Sequence, residues 1–121
     1  TELAAQLHYV ANLAQNYGMP EMSSKRLVIS ILETGDRILP ALPEKIALSA
    51  KSVLTKLGIK VLEGTRVIKA QKEGYVTDKD VLIEADLLVW AAGIKAPDFI
   101  QNLNLFETNK AQQILVNTHL Q

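Results

Sequence analysis

The feature that most constrains the fold is a strand, a helix and a second strand that follow one another with short connections. Residues 26–32 are nearly continuous in β-branched and aliphatic side chains, as expected of a parallel strand covered on both faces. Pro43 presets a first helical turn, and an apolar stripe then predicts a helix over 43–57 that stops at Gly58. A strand at 59–62 follows at once. This order is typical of a right-handed parallel crossover and predicts an α/β three-layer sheet.

The start of the chain has the period of one helix face. Apolar side chains recur there at spacings of three and four, and Gly18 followed by Pro20 supplies a helix stop. We therefore predict an amphipathic helix over residues 1–17. A polar, turn-rich segment at 16–25 then leads to the first strand.

The pattern changes to short segments after Thr65. Turn signals separate these segments, which predicts an antiparallel meander with strands at 66–70, 74–77 and 80–84. Residues 86–93 return to the pattern of a buried strand, with Trp90 in the core. Beyond Pro97 we predict a helical turn around 98–103 and a strand at 114–117.

Composition excludes several classes of function. The 13 Lys and Arg balance the 13 Asp and Glu, so the zero net charge gives no field that would attract nucleic acid or an anionic membrane. There is no cysteine, so redox chemistry in these 121 residues would need a bound cofactor. Apolar runs are far shorter than the roughly 20 residues that span a bilayer. His8 and His119 lack companions at ligand spacing, and no metal site is predicted.

Glu33 closes the first predicted strand. A dinucleotide site needs an acid at the end of its second strand, because both ribose hydroxyls of the adenosine can donate to one carboxylate. A solvated acid at a strand end would have the same position. The surrounding order of elements favours the ribose-binding interpretation.

Arg37, four residues later, supports a different cofactor. A guanidinium there would neutralise the 2′-phosphate of NADPH. A carboxylate repels that phosphate, so the presence of Glu33 favours NADH.

Glu2 lies in the first turn of the first predicted helix. A carboxylate there is stabilised by the helix dipole by up to about 1 kcal/mol, which is a sufficient structural explanation. Alternatively Glu2 faces the nicotinamide, because the pyrophosphate of a dinucleotide sits at this helix N-terminus. The glycine-rich phosphate loop would have to precede Thr1.

Ala92 and Gly93 end the predicted strand 86–93. Small residues let a ligand approach the backbone closely, so this end is a candidate platform for the cofactor. A tight exit from a core strand would have the same composition, and both interpretations stay open.

Three stretches of sequence resemble one enzyme family. Residues 1–4 (TELA) are similar to the segment that follows the glycine loop in the NADH domains of two-dinucleotide-domain flavoproteins. Residues 32–44 (LETGDRILPALPE) and 84–97 (EADLLVWAAGIKAP) resemble the type II NADH dehydrogenases. These are single-subunit NADH:quinone oxidoreductases of the FAD-dependent pyridine nucleotide-disulfide oxidoreductase superfamily.

The resemblance implies a Rossmann-like three-layer parallel sheet with an added antiparallel β-meander, lacking its first strand and glycine loop. Residues 1–97 would be most of the NADH-binding domain, and 98–121 a connection back toward the FAD-binding domain. In strand order 3-2-1 the missing strand lies inside the sheet, so its loss leaves unpaired edges. We expect self-association, or the predicted strand 114–117, to fill the gap beside 26–32.

The resemblance also implies a function for the parent protein. Electrons would pass from NADH through FAD to a membrane quinone, in a peripheral protein on the cytoplasmic face of the bacterial inner membrane. Glu33 would bind ribose, Glu2 would act in proton transfer at the quinone site, and Ala92 and Gly93 would contact the cofactor. FAD would be bound mainly outside this chain, which alone would be inactive because hydride needs an acceptor flavin.

Two other functions remain open. An equivalent NADH domain serves ferredoxin and disulfide reductases of the same superfamily. A non-catalytic nucleotide-binding module is also possible on such a fold, since a fold by itself does not specify chemistry.

Overall fold

The computed structural model describes residues 1–19, 21 and 26–120. They divide into two compact units, Thr1–Leu88 and Val89–Gln121. The first unit contains α1 (Glu2–Asn16), β1 (Ser30–Leu32), α2 (Glu44–Lys56), β2 (Lys60–Leu62), β3 (Val67–Gln71), β4 (Gly74–Thr77) and β5 (Leu82–Glu84), and the second contains α3 (Asp98–Leu103). Pro20, residues 22–25 and Gln121, which belong to the predicted helix stop, polar segment and connection, lie outside the described residues.

The predicted strand, helix and strand are confirmed as a parallel crossover. Strands β1 and β2 are parallel, with Ser30 opposite Lys60 and Leu32 opposite Leu62, and α2 connects them. The bonding continues past the strands, because the Glu33 N–H donates to Leu62 O (2.9 Å) and the Thr65 N–H donates to Glu33 O (2.9 Å). The chain segments that leave the two strands therefore stay side by side.

The turn from α2 into β2 is made by a helix-capping motif at Gly58. Gly58 has a left-handed φ of 79°, which a residue without Cβ adopts at low cost. Its N–H donates to Thr55 O (3.0 Å), and the Ile59 N–H donates to Leu54 O (3.0 Å). These are the two hydrogen bonds of a Schellman motif, and the apolar contact between Leu54 and Ile59 that accompanies it lies in the core. The predicted stop at Gly58 is thereby confirmed.

The core of the first unit lies where the two helices meet the parallel strands. Its buried members come from α1, from the loop after β1, from α2 and from the start of β2: Ala4, Ile38, Leu54 and Ile59. Partly buried side chains pack against them, including Ile31 of β1 and Val61 of β2. The predicted helices over 1–17 and 43–57 both contribute to this cluster, the first through Ala4 and Ala5 and the second mainly through Leu54.

The prediction of a strand over 26–32 is wrong in its extent. Only Ser30–Leu32 are paired, and Leu27 and Val28 are exposed. The register explains the difference. Ile29 O still accepts the Lys60 N–H (2.9 Å), but the residues before Ile29 would lie opposite the left-handed turn at Gly58, which presents no extended edge. Within the described residues β1 pairs with β2 alone.

The antiparallel meander is confirmed in strands β3, β4 and β5. Gly74 begins the middle strand, β4, and is buried because the neighbouring strand β5 lies directly against it. A Cβ at this position would overlap the backbone of Ile83. The turn signal at Glu73-Gly74 thus marks a position where only glycine fits between two strands.

The predicted strand at 86–93 is wrong, and so is the strand at 114–117. Both stretches lack a ladder, apart from an isolated antiparallel bridge between Thr108 and Ile114. Trp90, predicted to lie in the core, is 65% exposed. A buried parallel strand needs a paired strand on each side, and the described residues contain only one parallel pair, of three residues per strand. The helical turn is confirmed as α3.

At the level of fold class, the chain is α/β. A small parallel sheet with two helices precedes a three-stranded antiparallel sheet, which is compatible with a nucleotide-binding fold. No helix in the described part of the chain has the length and apolar character that crossing a membrane would require. Self-association of the chain stays a prediction.

The core predicts a difference between two leucines of α2. Leu54 is 3% exposed and Leu48 is 59% exposed. Replacing Leu54 by Ala leaves a cavity among the core side chains and should lower the free energy of unfolding by about 2–5 kcal/mol. The matched Leu48→Ala change should stay within about 0.5 kcal/mol. Urea unfolding followed by far-UV circular dichroism measures both, and equal losses would contradict the described packing.

Candidate nucleotide-binding site at the end of the parallel strands

Glu33 is the residue that directly follows β1. It is half-buried, and its backbone is held by the bonds to Leu62 and Thr65. Its Oε1 accepts a hydrogen bond from the Gly35 N–H at 2.8 Å. Among the described residues its Oε2 has no hydrogen-bond partner. The carboxylate is therefore fixed on one oxygen and open on the other.

This arrangement fits the adenosine ribose of a dinucleotide. A vicinal diol offers two O–H donors, and a carboxylate at the carboxyl end of a parallel strand offers acceptors in a fixed direction. The residues present therefore fit the nucleoside end of NADH.

The guanidinium of Arg37 is turned into its own loop. It donates to three backbone oxygens, those of Leu39 (3.4 Å), Pro40 (2.9 Å) and Leu42 (2.9 Å). Leu39 O also accepts the Leu42 N–H (3.0 Å), so the loop is held by a backbone hydrogen bond as well as by the guanidinium. The alternative role of Arg37, neutralising a 2′-phosphate, would require it to leave these acceptors.

Glu63 is a site residue that the sequence analysis missed. It follows β2 at the position that Glu33 has after β1, since Leu32 pairs with Leu62. Its Oε1 accepts the Ile38 N–H (3.0 Å), and its Oε2 accepts a hydrogen bond and ion pair from Lys51 of α2. An acid directly after each of two successive parallel strands was the signal that could have revealed it.

A pocket of about 230 Å³ lies beside Glu63 and Arg37, and Glu33 does not line it. It is lined mainly by charged residues of the β1 loop, of α2 and of the β2 end: Asp36, Arg37, Glu44, Ala47, Leu48, Lys51 and Glu63. The Lys51 hydrogen bond, then the Ile38 N–H, hold the pKa of Glu63 below its ordinary value, and partial burial opposes them weakly. Glu63 therefore stays ionised in the folded chain at neutral pH.

Glu2 is exposed in the first turn of α1, as predicted. It lines an open groove of about 550 Å³ between the start of α1 and one face of α2. Glu2 and Glu33 share neither a hydrogen bond nor a pocket in the described part of the chain. Both explanations of Glu2, helix-dipole stabilisation and a role near the nicotinamide, therefore remain.

Ala92 and Gly93 belong to the second unit. Both are exposed and lie outside any helix or strand, and Gly93 has a left-handed φ of 76°. The predicted strand that was to carry them to a cofactor is absent there. Their role as a cofactor platform stays a prediction.

The family model of the pyridine nucleotide-disulphide oxidoreductases matches residues 1–121. The chain belongs to this family. The resemblance seen in the sequence is confirmed by a type II NADH:quinone oxidoreductase of Haemophilus influenzae, which is 35% identical over 120 residues. That alignment covers 99% of this chain and 27% of the relative.

Two further proteins with NADH dehydrogenase names are similar to this chain. A type II NADH:quinone oxidoreductase of Staphylococcus saprophyticus is 25% identical over 114 residues, covering 92% of this chain and 27% of that protein. The NADH dehydrogenase-like protein YutJ of Bacillus subtilis is 26% identical over 93 residues, which cover 77% of this chain and 26% of that protein. The chain thus spans about a quarter of the length of these relatives.

The hydrogen bonds of Glu63 predict a pH-dependent stability. A folded pKa below 4.5 contributes stability that is fully present above that pH and is lost as the pH falls through the folded pKa. Glu63→Gln should therefore lower the urea midpoint at pH 7, and its difference from wild type should narrow below pH 4.5. Glu73→Gln, in an exposed hairpin turn, is the control, and its urea midpoint should match that of wild type both at pH 7 and at the acidic pH. A difference that is constant with pH would contradict the bonding described.

Proposed function

We propose that the chain is the NADH-binding part of a flavoprotein that passes electrons from NADH through FAD to a membrane quinone. The observation that carries the proposal is the open carboxylate of Glu33 at the end of a parallel strand, within a chain similar along 99% of its length to an NADH:quinone oxidoreductase. Residues 1–97 would form the NADH-binding domain, and 98–121 would lead back toward the FAD-binding domain. The sheet would be Rossmann-like and three-layered.

In this proposal Glu33 binds the two hydroxyls of the adenosine ribose. Selection of NADH is supported by two features of one loop. The carboxylate repels a 2′-phosphate, and the guanidinium that would attract that phosphate already donates to Leu39, Pro40 and Leu42. The 2′-phosphate of NADPH would meet the negative charge of Glu33, while the guanidinium of Arg37 stays bonded within its own loop.

Glu2, Ala92 and Gly93 have proposed roles at the nicotinamide end. The first turn of α1 faces the pyrophosphate in a dinucleotide fold, so Glu2 would lie where nicotinamide and flavin meet. Ala92 and Gly93 would offer backbone without bulky side chains to the cofactor. FAD, when bound, supplies the hydride acceptor and would be held mainly by segments outside this chain.

The proposed protein acts at a membrane surface. Quinone is the acceptor named for two of the relatives, which supports a quinone reductase over a ferredoxin or disulfide reductase. The protein would lie peripherally on the cytoplasmic face of the bacterial inner membrane. By itself the chain would oxidise no NADH, because no flavin would be within reach of the hydride.

Replacement of Glu33 tests the nucleotide assignment. In a full-length flavoprotein that carries this chain, Glu33→Ala should raise the KM for NADH by roughly tenfold to a hundredfold, as expected when hydrogen bonds to a charged acceptor are lost. Steady-state oxidation of NADH and NADPH measures this. Glu84→Ala, which removes an exposed acid at the end of β5, is the control and should leave the KM values for both cofactors unchanged. Wild-type KM values for both cofactors in Glu33→Ala would refute the assignment.

Replacement of Glu2 tests the proton-transfer role. In the same protein Glu2→Gln should slow quinone reduction while flavin reduction by NADH stays unchanged, because only the former needs protons at the quinone. Stopped-flow measurement separates the two half-reactions. Glu44→Gln removes the first-turn acid of α2 and so reproduces any helix-dipole effect. If neither half-reaction slowed, or if Glu44→Gln gave the same result, Glu2 would have a structural role alone.

A further inference from the structure

The loop after β1 is tied to the end of β2 by its backbone. The Thr65 N–H donates to Glu33 O (2.9 Å), and the Gly64 N–H donates to Gly35 O (2.9 Å). These bonds, from the two residues that follow Glu63, fix the first three residues of this loop. They leave residues 36–42 to be held by other contacts.

Glu63 supplies the next contact through its side chain. Ile38 is 1% exposed, so its N–H would be unpaired in the core if Glu63 Oε1 did not accept it at 3.0 Å. Lys51 binds the other oxygen from α2. The Glu63 side chain is only 17% exposed. Its contacts with Ile38 and Lys51 form a brace that joins the loop, the end of β2 and α2 in a partly buried region. Ile38 is thereby held at one position of the core.

The residue that follows Ile38 bends the loop. Leu39 has a φ of 53°, a left-handed conformation that is unfavourable for a residue with a Cβ and persists only where its surroundings impose it. The bend brings the carbonyl oxygens of Leu39, Pro40 and Leu42 to the guanidinium of Arg37. The Leu42 N–H closes this turn by donating to Leu39 O (3.0 Å), and Ile38 anchors the start of the turn in the core. Fixing Ile38 therefore fixes where the turn, with the acceptors of Arg37, is placed.

We propose that Glu63, braced by Lys51, is a positioning residue that sets the preference for NADH over NADPH by holding Arg37 in its loop and away from the ribose acid. This rests on the proposed function. When Ile38 is released, the left-handed bend at Leu39 relaxes and the three carbonyls separate. Arg37 then has free N–H donors four residues after Glu33, and a guanidinium binds a phosphate in two-point geometry.

The test compares two nucleotides in the full-length protein. Dissociation constants for NAD⁺ and NADP⁺ from calorimetry, and KM and kcat for the reduced forms, are measured in wild type and in Glu63→Ala. We expect the NADH-to-NADPH preference to fall at least fivefold through binding and KM, with kcat unchanged. Amide hydrogen exchange at Ile38 should accelerate at least tenfold in the same variant. Glu63→Gln, whose amide oxygen still accepts the Ile38 N–H, should retain most of the preference.

Two control variants separate positioning from a general loss of stability. Thr77→Ala removes a buried hydroxyl of β4, which accepts the Val81 N–H, and should destabilise the unit without changing the preference. Lys51→Gln weakens the brace while leaving Ile38 paired, and should lower the preference about twofold. Lys51→Gln tests the inference if Glu63→Ala fails to fold.

The outcomes distinguish this inference from the function beneath it. If Glu33→Ala weakens NADH binding but the Glu63 and Lys51 variants keep the wild-type preference, Glu63 is not a positioning residue and the proposed function stands. An equal loss of preference in Thr77→Ala would also overturn the inference. If Glu33→Ala changes neither nucleotide, the proposed function fails and this inference fails with it.

Discussion

The parallel pairing of β1 with β2 is the constraint on which the candidate site depends. Each strand has only three residues, yet the hydrogen bonds continue beyond Leu32 and Leu62 into the loops. Because the strands run in the same direction, both loops leave from one edge of the sheet. The residue after each strand is an acid, so the pairing places Glu33 and Glu63 at neighbouring positions of this edge.

These two acids have the same position in the register and different surroundings. Glu63 has both oxygens bound, one by a backbone N–H and one by a lysine, and its pKa is lowered accordingly. Glu33 has one oxygen bound by the next turn and the other open among the described residues. Saturation of its acceptors makes Glu63 a structural element, while Glu33 keeps an acceptor for a ligand.

Much of the fold was predictable from local sequence patterns. The helices, the crossover and the meander each have a period or turn signal of their own, and the helix end at Gly58 is encoded in one residue. The strands at 26–32 and 86–93 were overestimated, because an apolar run shows that a segment can form a strand but not which residues have a partner. Trp90 was misplaced for the same reason.

The site was predictable in one half only. The position of Glu33 directly after a strand was predicted from the sequence, and its ribose-binding role stays a prediction. The roles of Glu63 and Lys51 depend on contacts between segments that are distant in sequence. Glu63 and Ile38 are far apart in sequence and meet only through the register of the parallel pair. Spacing along the chain contains no information about such a bond.

The two sheets differ in how far along the chain their partners lie. Strands β3, β4 and β5 are joined by short turns and pair with their neighbours in sequence, as hairpins that close within microseconds. Ser30 and Lys60 are separated in sequence by α2 and its connecting loops. Bringing them together costs more chain entropy than closing a hairpin, so this pairing forms more slowly. The edge that carries Glu33 and Glu63 is therefore the late-forming part of the first unit, and a nascent chain would have a folded meander before it had the candidate site.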